Sequence, residues 1–569
     1  MAGEALKPNF ARLRALSPGA AAKDGIAGCV LAILLVPQAM AYAQLAGLPP
    51  QMGLFAALLP PVLYFLFGTS AHVSVGPVAL VSLVVAEAVG GVEVEPALAA
   101  AVIAIEAGAL LVLLGGFGLG RLVNFISEPV LLGFTAAAAL LLAASQLPPL
   151  LGIDAARAGD LPTALSGLFA GWDTLKPQTA MIGIAALVVL LIVNRLAAPV
   201  LWKLGIHPPY RQAIAKSLPL AVIVGAAFAA LGVPNDVPTV SGIAGGLPPL
   251  VLPPLDPALW LNLLPSAAAV AVIVFVVAAA VAKSLAGNDR SQLDTSREAT
   301  ALGFGNIAAA LTGGYAIGAS LSRSALVADS GAKSPLASVF AALLVLIVLL
   351  VASPLLVYLP RTALAALVIS AVFGLIKTRD IRDVWRHDPM EAAIIAVAFV
   401  ATLLLGVRLG LAIGAVLGLG YFLWFSSVPR VTRIGTDDGG ASFRSVDRAD
   451  VDLDTKPVLI VRIDRSLFFG NAAFCEEQIF DRLGQPDGVT CLVLDMRAVN
   501  DIDASGAAML RRVVQRLRAM GITLHFAELH EPVKERLGPI DSEVCRFHRT
   551  VGQAVEHCGV SFDDRIAYS

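Results

Sequence analysis

Charge is scarce in this chain: Asp, Glu, Lys and Arg make up 14% of its 569 residues, against about 25% in an ordinary water-soluble domain. With 57% of residues hydrophobic, a fold bathed by water on every side is excluded. A basic excess is missing too. The formal net charge is −2 and no basic stripe stands out, which argues against nucleic acid or another polyanion as partner. Cysteine is sparse. Of five, only Cys29 lies in the hydrophobic part, and Cys475, Cys491, Cys545 and Cys558 lack the close pairs that zinc sites use. Reduced structural thiols in a cytosolic domain are therefore expected, and no metal. His72 and His207 stand in loops without partner ligands. No nucleophile–base pair or phosphate-cradling loop is visible, so neither an enzyme nor a cofactor is expected.

What the chain does have is long apolar runs, and about 20 mainly apolar residues cross a bilayer. Such runs are Gly25–Leu45, Met52–Phe67, Pro96–Leu114, Val130–Ala144, Ala180–Val193, Ala213–Leu231, Ala267–Leu285, Ala299–Leu311, Leu336–Val357, Ala363–Ile376, Ala392–Leu405 and Leu409–Phe425. Pro77–Val89 and Leu321–Ala328 are too short or too polar to cross alone and read as half-spanning helices, for about 14 segments in all. They sit at matching places, third in each set of seven, which is the pattern of an inverted-repeat transporter with its site at mid-membrane. The N-terminus carries Lys7, Arg12, Arg14 and Lys23 without a convincing cleavage site, so the first run is expected to stay as a transmembrane helix. Lys and Arg then collect on one side. Arg121, Arg195, Lys203, Arg211, Lys216, Lys283, Arg290, Arg297, Lys377, Arg379, Arg382 and Arg386 fall inside if the N-terminus is inside, while Val233–Leu264 has none. Three parts are expected: a cytoplasmic segment 1–23, a membrane domain 24–426, and a cytoplasmic domain 427–569. In the last, Val458–Ile463, Cys491–Asp495 and Ile522–Ala527 read as strands, with Ala472–Leu483 and Ser505–Ala519 as helices, giving a small α/β domain.

In Ser74-Val75-Gly76-Pro77, proline suits a helix start and glycine permits close backbone approach. Gly318-Ala319-Ser320-Leu321-Ser322-Arg323-Ser324 offers hydroxyls and a cation at the equivalent place. Two helix N-termini facing each other present unpaired N–H groups and partial positive charge, which suits an anion; an ordinary kinked pair of packed helices is the alternative. In the first run, Pro37 interrupts the helix, and Gln38 and Tyr42, four apart, share a face as donors or as polar glue between helices.

Pro37-Gln38-Ala39-Met40-Ala41-Tyr42-Ala43, Phe67-Gly68-Thr69-Ser70 with Val75-Gly76-Pro77, Ala299–Asn306, and Ser320-Leu321-Ser322-Arg323-Ser324-Ala325 closely resemble the sulfate permease family of anion transporters, in order and over nearly the whole chain. The resemblance implies two inverted sets of seven helices forming core and gate domains. The anion would lie between the third and tenth helices, at Gln38, Tyr42, Val78, Ser320, Ser322 and Arg323. It also implies a homodimer in a cell (inner) membrane, among lipids. Many proton-coupled members carry an acid midway along the eighth helix, before the pair matched by Lys283-Ser284. Here Val277 stands at that position and Val272–Ala282 has no carboxylate. Glu87 closes the short third helix, roughly 15 Å from its start, which leaves Glu106 as the deep carboxylate and coupling candidate.

Leu467-Phe468-Phe469-Gly470-Asn471-Ala472 and Val499-Asn500-Asp501-Ile502-Asp503-Ala504-Ser505-Gly506 resemble the domain shared by sulfate transporters and anti-sigma-factor antagonists (STAS). Antagonists place their phosphoacceptor directly after the motif aspartate; Ala504 is there, and Ser505 one step on is the regulatory candidate. A helix cap serving assembly, or docking of a cytosolic protein, is the alternative. The expected function is secondary transport of a small inorganic anion (sulfate, bicarbonate or chloride) by alternating access, as an antiporter, without proton coupling through the eighth helix. A dicarboxylate carrier, an anion channel and a membrane-embedded anion sensor remain open.

Overall fold

The computed structural model describes residues 17–121, 127–155, 159–207, 210–233, 237–240, 245–286, 293–436, 442–446, 457–484, 488–540 and 544–560. Most of the segment 1–23, with Lys7, Arg12 and Arg14, and the later Arg290 lie outside the described residues. The chain divides into two compact units, Met1–Gly418 and Leu419–Ser569.

The first half of the first unit runs α1 (Pro18–Leu45), α2 (Pro50–Phe55), α3 (Leu59–Phe67), β1 (Val75–Gly76), α4 (Ala79–Val89), α5 (Pro96–Gly116), α6 (Glu128–Leu151), α7 (Leu161–Ala170), α8 (Pro177–Lys203) and α9 (Tyr210–Leu231). The second half runs α10 (Pro257–Leu285), α11 (Thr295–Leu311), β2 (Gly318–Ala319), α12 (Leu321–Asp329), α13 (Leu336–Ile347), α14 (Ser353–Leu356), α15 (Arg361–Val372), α16 (Thr378–His387), α17 (Pro389–Leu405) and α18 (Val407–Ser427), which ends past the division between the units. Proline has no N–H to leave unpaired, so it opens α1, α2, α3, α5, α6, α8, α10 and α17. Asp256, Asp294 and Asp388 cap α10, α11 and α17 by accepting from backbone N–H groups. Ten helices among the described residues are long and apolar enough to cross a membrane. With 11 and 9 residues, α4 and α12 are too short, as their sequences predict. The expected run Met52–Phe67 is broken at Ala56–Leu58, because Pro60 and Pro61 have no N–H to return to Ala56 and Ala57.

Both halves contain a long helix, a second helical segment, a two-residue strand, a short helix and a further helix, in that order. β1 and β2 pair antiparallel, Val75 opposite Ala319 and Gly76 opposite Gly318, as copies of opposite orientation require. Packing crosses over in the same way: α1 lies along α13 and α10 along α5, α6 along α17 and α15 along α8. One bundle therefore holds α1–α5 with α10–α13, and a second holds α6–α9 with α15–α18. Within the first, a Cβ on Gly108 would lie 2.7 Å from the Gly303 carbonyl oxygen, and one on Gly303 2.6 Å from that of Gly108. Glycine at both positions lets α5 and α11 meet backbone to backbone.

The second unit is a six-stranded sheet in the order β4 (Arg444–Ser445), β3 (Val431–Gly435), β5 (Val458–Ile463), β6 (Cys491–Asp495), β7 (Thr523–Ala527), β8 (Cys545–His548); β5 to β8 are parallel, and β3 is antiparallel to its neighbours. Side chains alternate between faces. Leu492, Leu494, Leu524 and Phe526 pack with α19 (Ala472–Leu483), α20 (Ala504–Ala519) and α21 (Glu531–Leu537), whereas Cys491, Val493 and Ala527 pack with α22 (Val551–His557). One expectation is corrected here. Cys491 and Cys558, expected as reduced thiols, are joined as a disulfide with a Cα–Cα distance of 6.1 Å. They are 67 residues apart, and only the sheet brings them together. Cys475 is free, and burial pushes its thiol up to about 12, which makes it inert.

Candidate functional site

The β1–β2 ribbon places the starts of α4 and α12 side by side. Ser320 N–H donates to the Ser74 carbonyl at 3.1 Å, and Ser74 N–H donates to Ser324 Oγ at 2.8 Å, extending the pairing past both strands. Val78 is the N-cap of α4 and gives no side-chain cap. Ser320 caps α12, its Oγ accepting from Arg323 N–H at 3.5 Å and lying 3.4 Å from Ser322 Oγ. The first N–H groups of a helix have no intrahelical acceptor, so two sets of donors converge. Both short helices pack against α1 and α10. Ser322 is exposed and Ser320 half-buried, so the start of α12 is accessible.

Arg323 is the centre of this joint. It is fully buried, and its Nη1 donates to the Pro77 carbonyl at 2.8 Å, crossing from one half of the repeat to the other. Its Nε and Nη2 have no hydrogen-bond partner among the described residues. Among the described residues Arg323 makes no ion pair with a carboxylate. Gly76 lies against the guanidinium: a Cβ there would be in van der Waals contact with Nη2, at 3.5 Å. From α1, Gln38 and Tyr42 are both buried, and Gln38 Oε1 is unpartnered among the described residues. The structure thus brings Val78, Ser320, Ser322 and Arg323 to one place, while Gln38 and Tyr42 stand on α1, which packs against both short helices.

Buried polar residues that sequence reasoning passed over hold the joint in position. Glu298 on α11 accepts from Tyr64 O–H at 2.6 Å, Thr69 N–H at 2.7 Å, Thr69 O–H at 2.5 Å and Ser70 N–H at 3.0 Å, pinning the loop that leads into β1. Asp24 on α1 does the same after α12, accepting from Lys333 N–H at 2.6 Å, Ser334 N–H at 3.2 Å and Ser334 O–H at 2.6 Å. Asn306 accepts from Ile317 N–H at 2.9 Å and donates to the Ile317 carbonyl at 3.2 Å, fixing the entry to β2. Tyr315 meets Ser82 Oγ at 2.9 Å. Only Asn306 carried a signal, as the last residue of the motif Ala299–Asn306.

Glu106 is buried in α5 with Oε2 unpartnered, and among the described residues it makes no hydrogen bond or ion pair with the ribbon. Val277 is half-buried on α10. Glu87, at the far end of α4, faces Arg408 Nε at 3.5 Å, and Arg408 Nη1 donates to Ser266 Oγ at 3.2 Å. An arginine of the second bundle thus holds two helices of the first. In the sheet unit, Leu467 and Ile502 form a parallel bridge that unites the two motifs. Asp503 caps α20 at Gly506 N–H and also accepts from Phe469 N–H, each at 2.8 Å. Against its partial desolvation, these N–H donors hold the Asp503 carboxyl below the usual range. Ser505 is exposed in the first turn of α20.

The model of the sulfate permease family matches residues 22–398, and that of the STAS domain residues 451–554. Sulfate transporter 4.1, chloroplastic, of Arabidopsis thaliana is 31% identical over 527 residues, covering 90% of this chain and 75% of that protein. High affinity sulfate transporter 2 of Stylosanthes hamata is 28% identical over 542 residues, covering 90% and 80%. The fold resembles that of a murine anion transporter, Solute Carrier 26 family member A9 in its inward-facing state, with TM-score 0.85, 22% identity, and 94% of this chain and 91% of that chain covered. It also resembles the transmembrane domain of a cyanobacterium bicarbonate transporter, with TM-score 0.57, 19% identity, and 72% and 98% covered.

Proposed function

The chain belongs to the sulfate permease family, and from that premise we propose that it carries a small inorganic anion of the sulfate, bicarbonate or chloride class across a membrane as a secondary transporter. The anion rests where α4 and α12 begin. Backbone N–H groups at Val78 and at the start of α12 donate to it, with the hydroxyls of Ser320 and Ser322. The amide of Gln38 and the phenol of Tyr42 close it from α1, and Arg323 supplies fixed positive charge. One observation carries this reading: a fully buried arginine beside two helix N-termini, with two nitrogens unpartnered among the described residues. A buried cation left alone costs several kcal/mol, roughly, and an arriving anion offsets that cost.

Transport follows by alternating access, the bundle holding the site moving past the other. Sulfate is first in the class, since the similar plant proteins are sulfate transporters. Coupling runs by anion exchange and not through α10, where Val277 stands at the family's acidic position; Glu106 is the reserve candidate. The protein is a multi-pass integral membrane protein. Both termini face the cytoplasm of a cell (inner) membrane by the distribution of Lys and Arg. It works as a homodimer, with the STAS domain docking a cytosolic protein or accepting phosphate at Ser505.

The test is uptake of radiolabelled sulfate and bicarbonate into liposomes containing the purified protein, with and without a pH gradient and internal chloride. Saturable uptake that needs internal chloride and ignores pH supports exchange. Proton-driven uptake moves the coupling to Glu106. No uptake of either anion by folded protein overturns the inorganic-anion reading in favour of dicarboxylates or a sensor, and non-saturating flux without exchange makes it a channel.

A further inference from the structure

The α22 face of the sheet carries chemistry that anion transport leaves unused. Cys491 at the first position of β6, His525 in β7 and Cys558 just after α22 place one donor atom each within 4.8 Å of one another. The site is built inside the fold: Cys491 and His525 are both buried, 2% and 4% exposed. A second imidazole supports the first. His548, the last residue of β8, stacks on His525 with ring centroids 5.0 Å apart, and its Nε2 lies 2.9 Å from His525 Nδ1. His557 extends the row, 4.8 Å from His548 between centroids. A structural disulfide alone would account for the two sulfurs but not for a buried imidazole beside them that stacks on a second one.

We propose that, when Cys491 and Cys558 are reduced, this cluster is a metal site for a soft or borderline divalent cation of the zinc class. The two thiolates and His525 are ligands, His548 is the hydrogen-bonded partner that orients His525, and the fourth position is left to water or a small ligand. With metal–sulfur bonds of about 2.3 Å and metal–nitrogen bonds of about 2.0 Å, tetrahedral ligand atoms lie about 3.3–3.8 Å apart, so the two sulfurs, bonded in the oxidised state, part by roughly 1.7 Å on reduction to admit the ion. Imidazole and thiolate favour such an ion over calcium or magnesium, which take oxygen. The second imidazole matches the usual support of a ligating histidine, whose other nitrogen is hydrogen-bonded. The disulfide is then the other state of the same site. A low-molecular-weight disulfide oxidises the thiolate pair. Two electrons pass to it, the Sγ–Sγ bond forms, two small thiolates leave, and the ion is released. Strand β6 and the end of α22 are held together in both states.

The experiment uses the full-length protein in detergent, reduced anaerobically with a phosphine and titrated with Co2+, then with Zn2+ read by elemental analysis. The expected result is about one ion per chain, with a thiolate-to-cobalt charge-transfer band lost in Cys491→Ser and Cys558→Ser. His525→Ala weakens binding at least about tenfold, and Cys475→Ser, remote from the cluster, binds as wild type. Adding a small disulfide releases the ion and restores the Cys491–Cys558 bond. Circular dichroism and gel filtration confirm that each variant is folded. Three results would overturn the site: no charge-transfer band in reduced wild type, equal binding by a folded Cys491→Ser/Cys558→Ser double variant, or a disulfide that resists the reductant.

Discussion

The starts of α4 and α12 are matched by the repeat yet unequal in chemistry. At α4 the cap is Val78, with no side-chain oxygen, and the contribution across the joint is the Pro77 carbonyl. At α12 the cap is Ser320, followed by Ser322 and by Arg323, which reaches back to that carbonyl. The repeat presents two helix N-termini in opposed orientation, whereas the charge and the hydroxyls come from one half only. The dipoles of two short helices contribute about 0.3–1 kcal/mol each when exposed and more when buried. A desolvated arginine outweighs them, so the second half should dominate anion binding.

The strongest break of this asymmetry is Arg323→Ala. Saturable sulfate uptake in liposomes is expected to fall at least about 100-fold, or about 2.8 kcal/mol, with membrane insertion intact. Unchanged uptake would remove Arg323 from the site. The pegs come next, compared by denaturant unfolding in detergent. Glu298→Ala strips an acceptor from four donors and should cost about 3 kcal/mol, Asp24→Ala strips it from three and should cost about 2 kcal/mol, and a reversed order would count against the shared role. Ser320→Ala should cost about 1 kcal/mol and raise the half-saturating anion concentration several-fold, while Val78→Ser, which gives α4 the cap it lacks, should leave it within about threefold. Equal effects at the two caps would mean that both halves bind alike. Smallest is Arg408→Ala: the pair with Glu87 is partly exposed, so about 0.5 kcal/mol is expected, read as a change of under about threefold in exchange rate.

The half-spanning helices were legible because glycine, proline and serine punctuate them at Val75–Pro77 and Ser320–Arg323. The four-residue spacing of Gln38 and Tyr42 puts both on one face of α1, and only the resemblance assigns them to the anion. The pegs were not legible. Glu298 and Asp24 look like ordinary charges near helix starts, and their partners are loop groups 229 and 309 residues away in sequence. The break at Ala56–Leu58 had its signal in Pro60 and Pro61, which an apolar-run count ignores. Cys491, His525 and Cys558 escaped for a different reason. Spacing rules detect ligands on one hairpin or knuckle, whereas these stand on two strands and a helix end joined only by sheet register.

The two-residue ribbon has a consequence for how the two halves depend on each other. Each strand, taken alone, would present bare amide and carbonyl groups to hydrocarbon, where no water answers them. Neither half is thus complete by itself, and pairing Val75 with Ala319 and Gly76 with Gly318 answers both edges at once. A variant that parts the strands should therefore unseat both short helices together, along with the arginine that reaches across the seam.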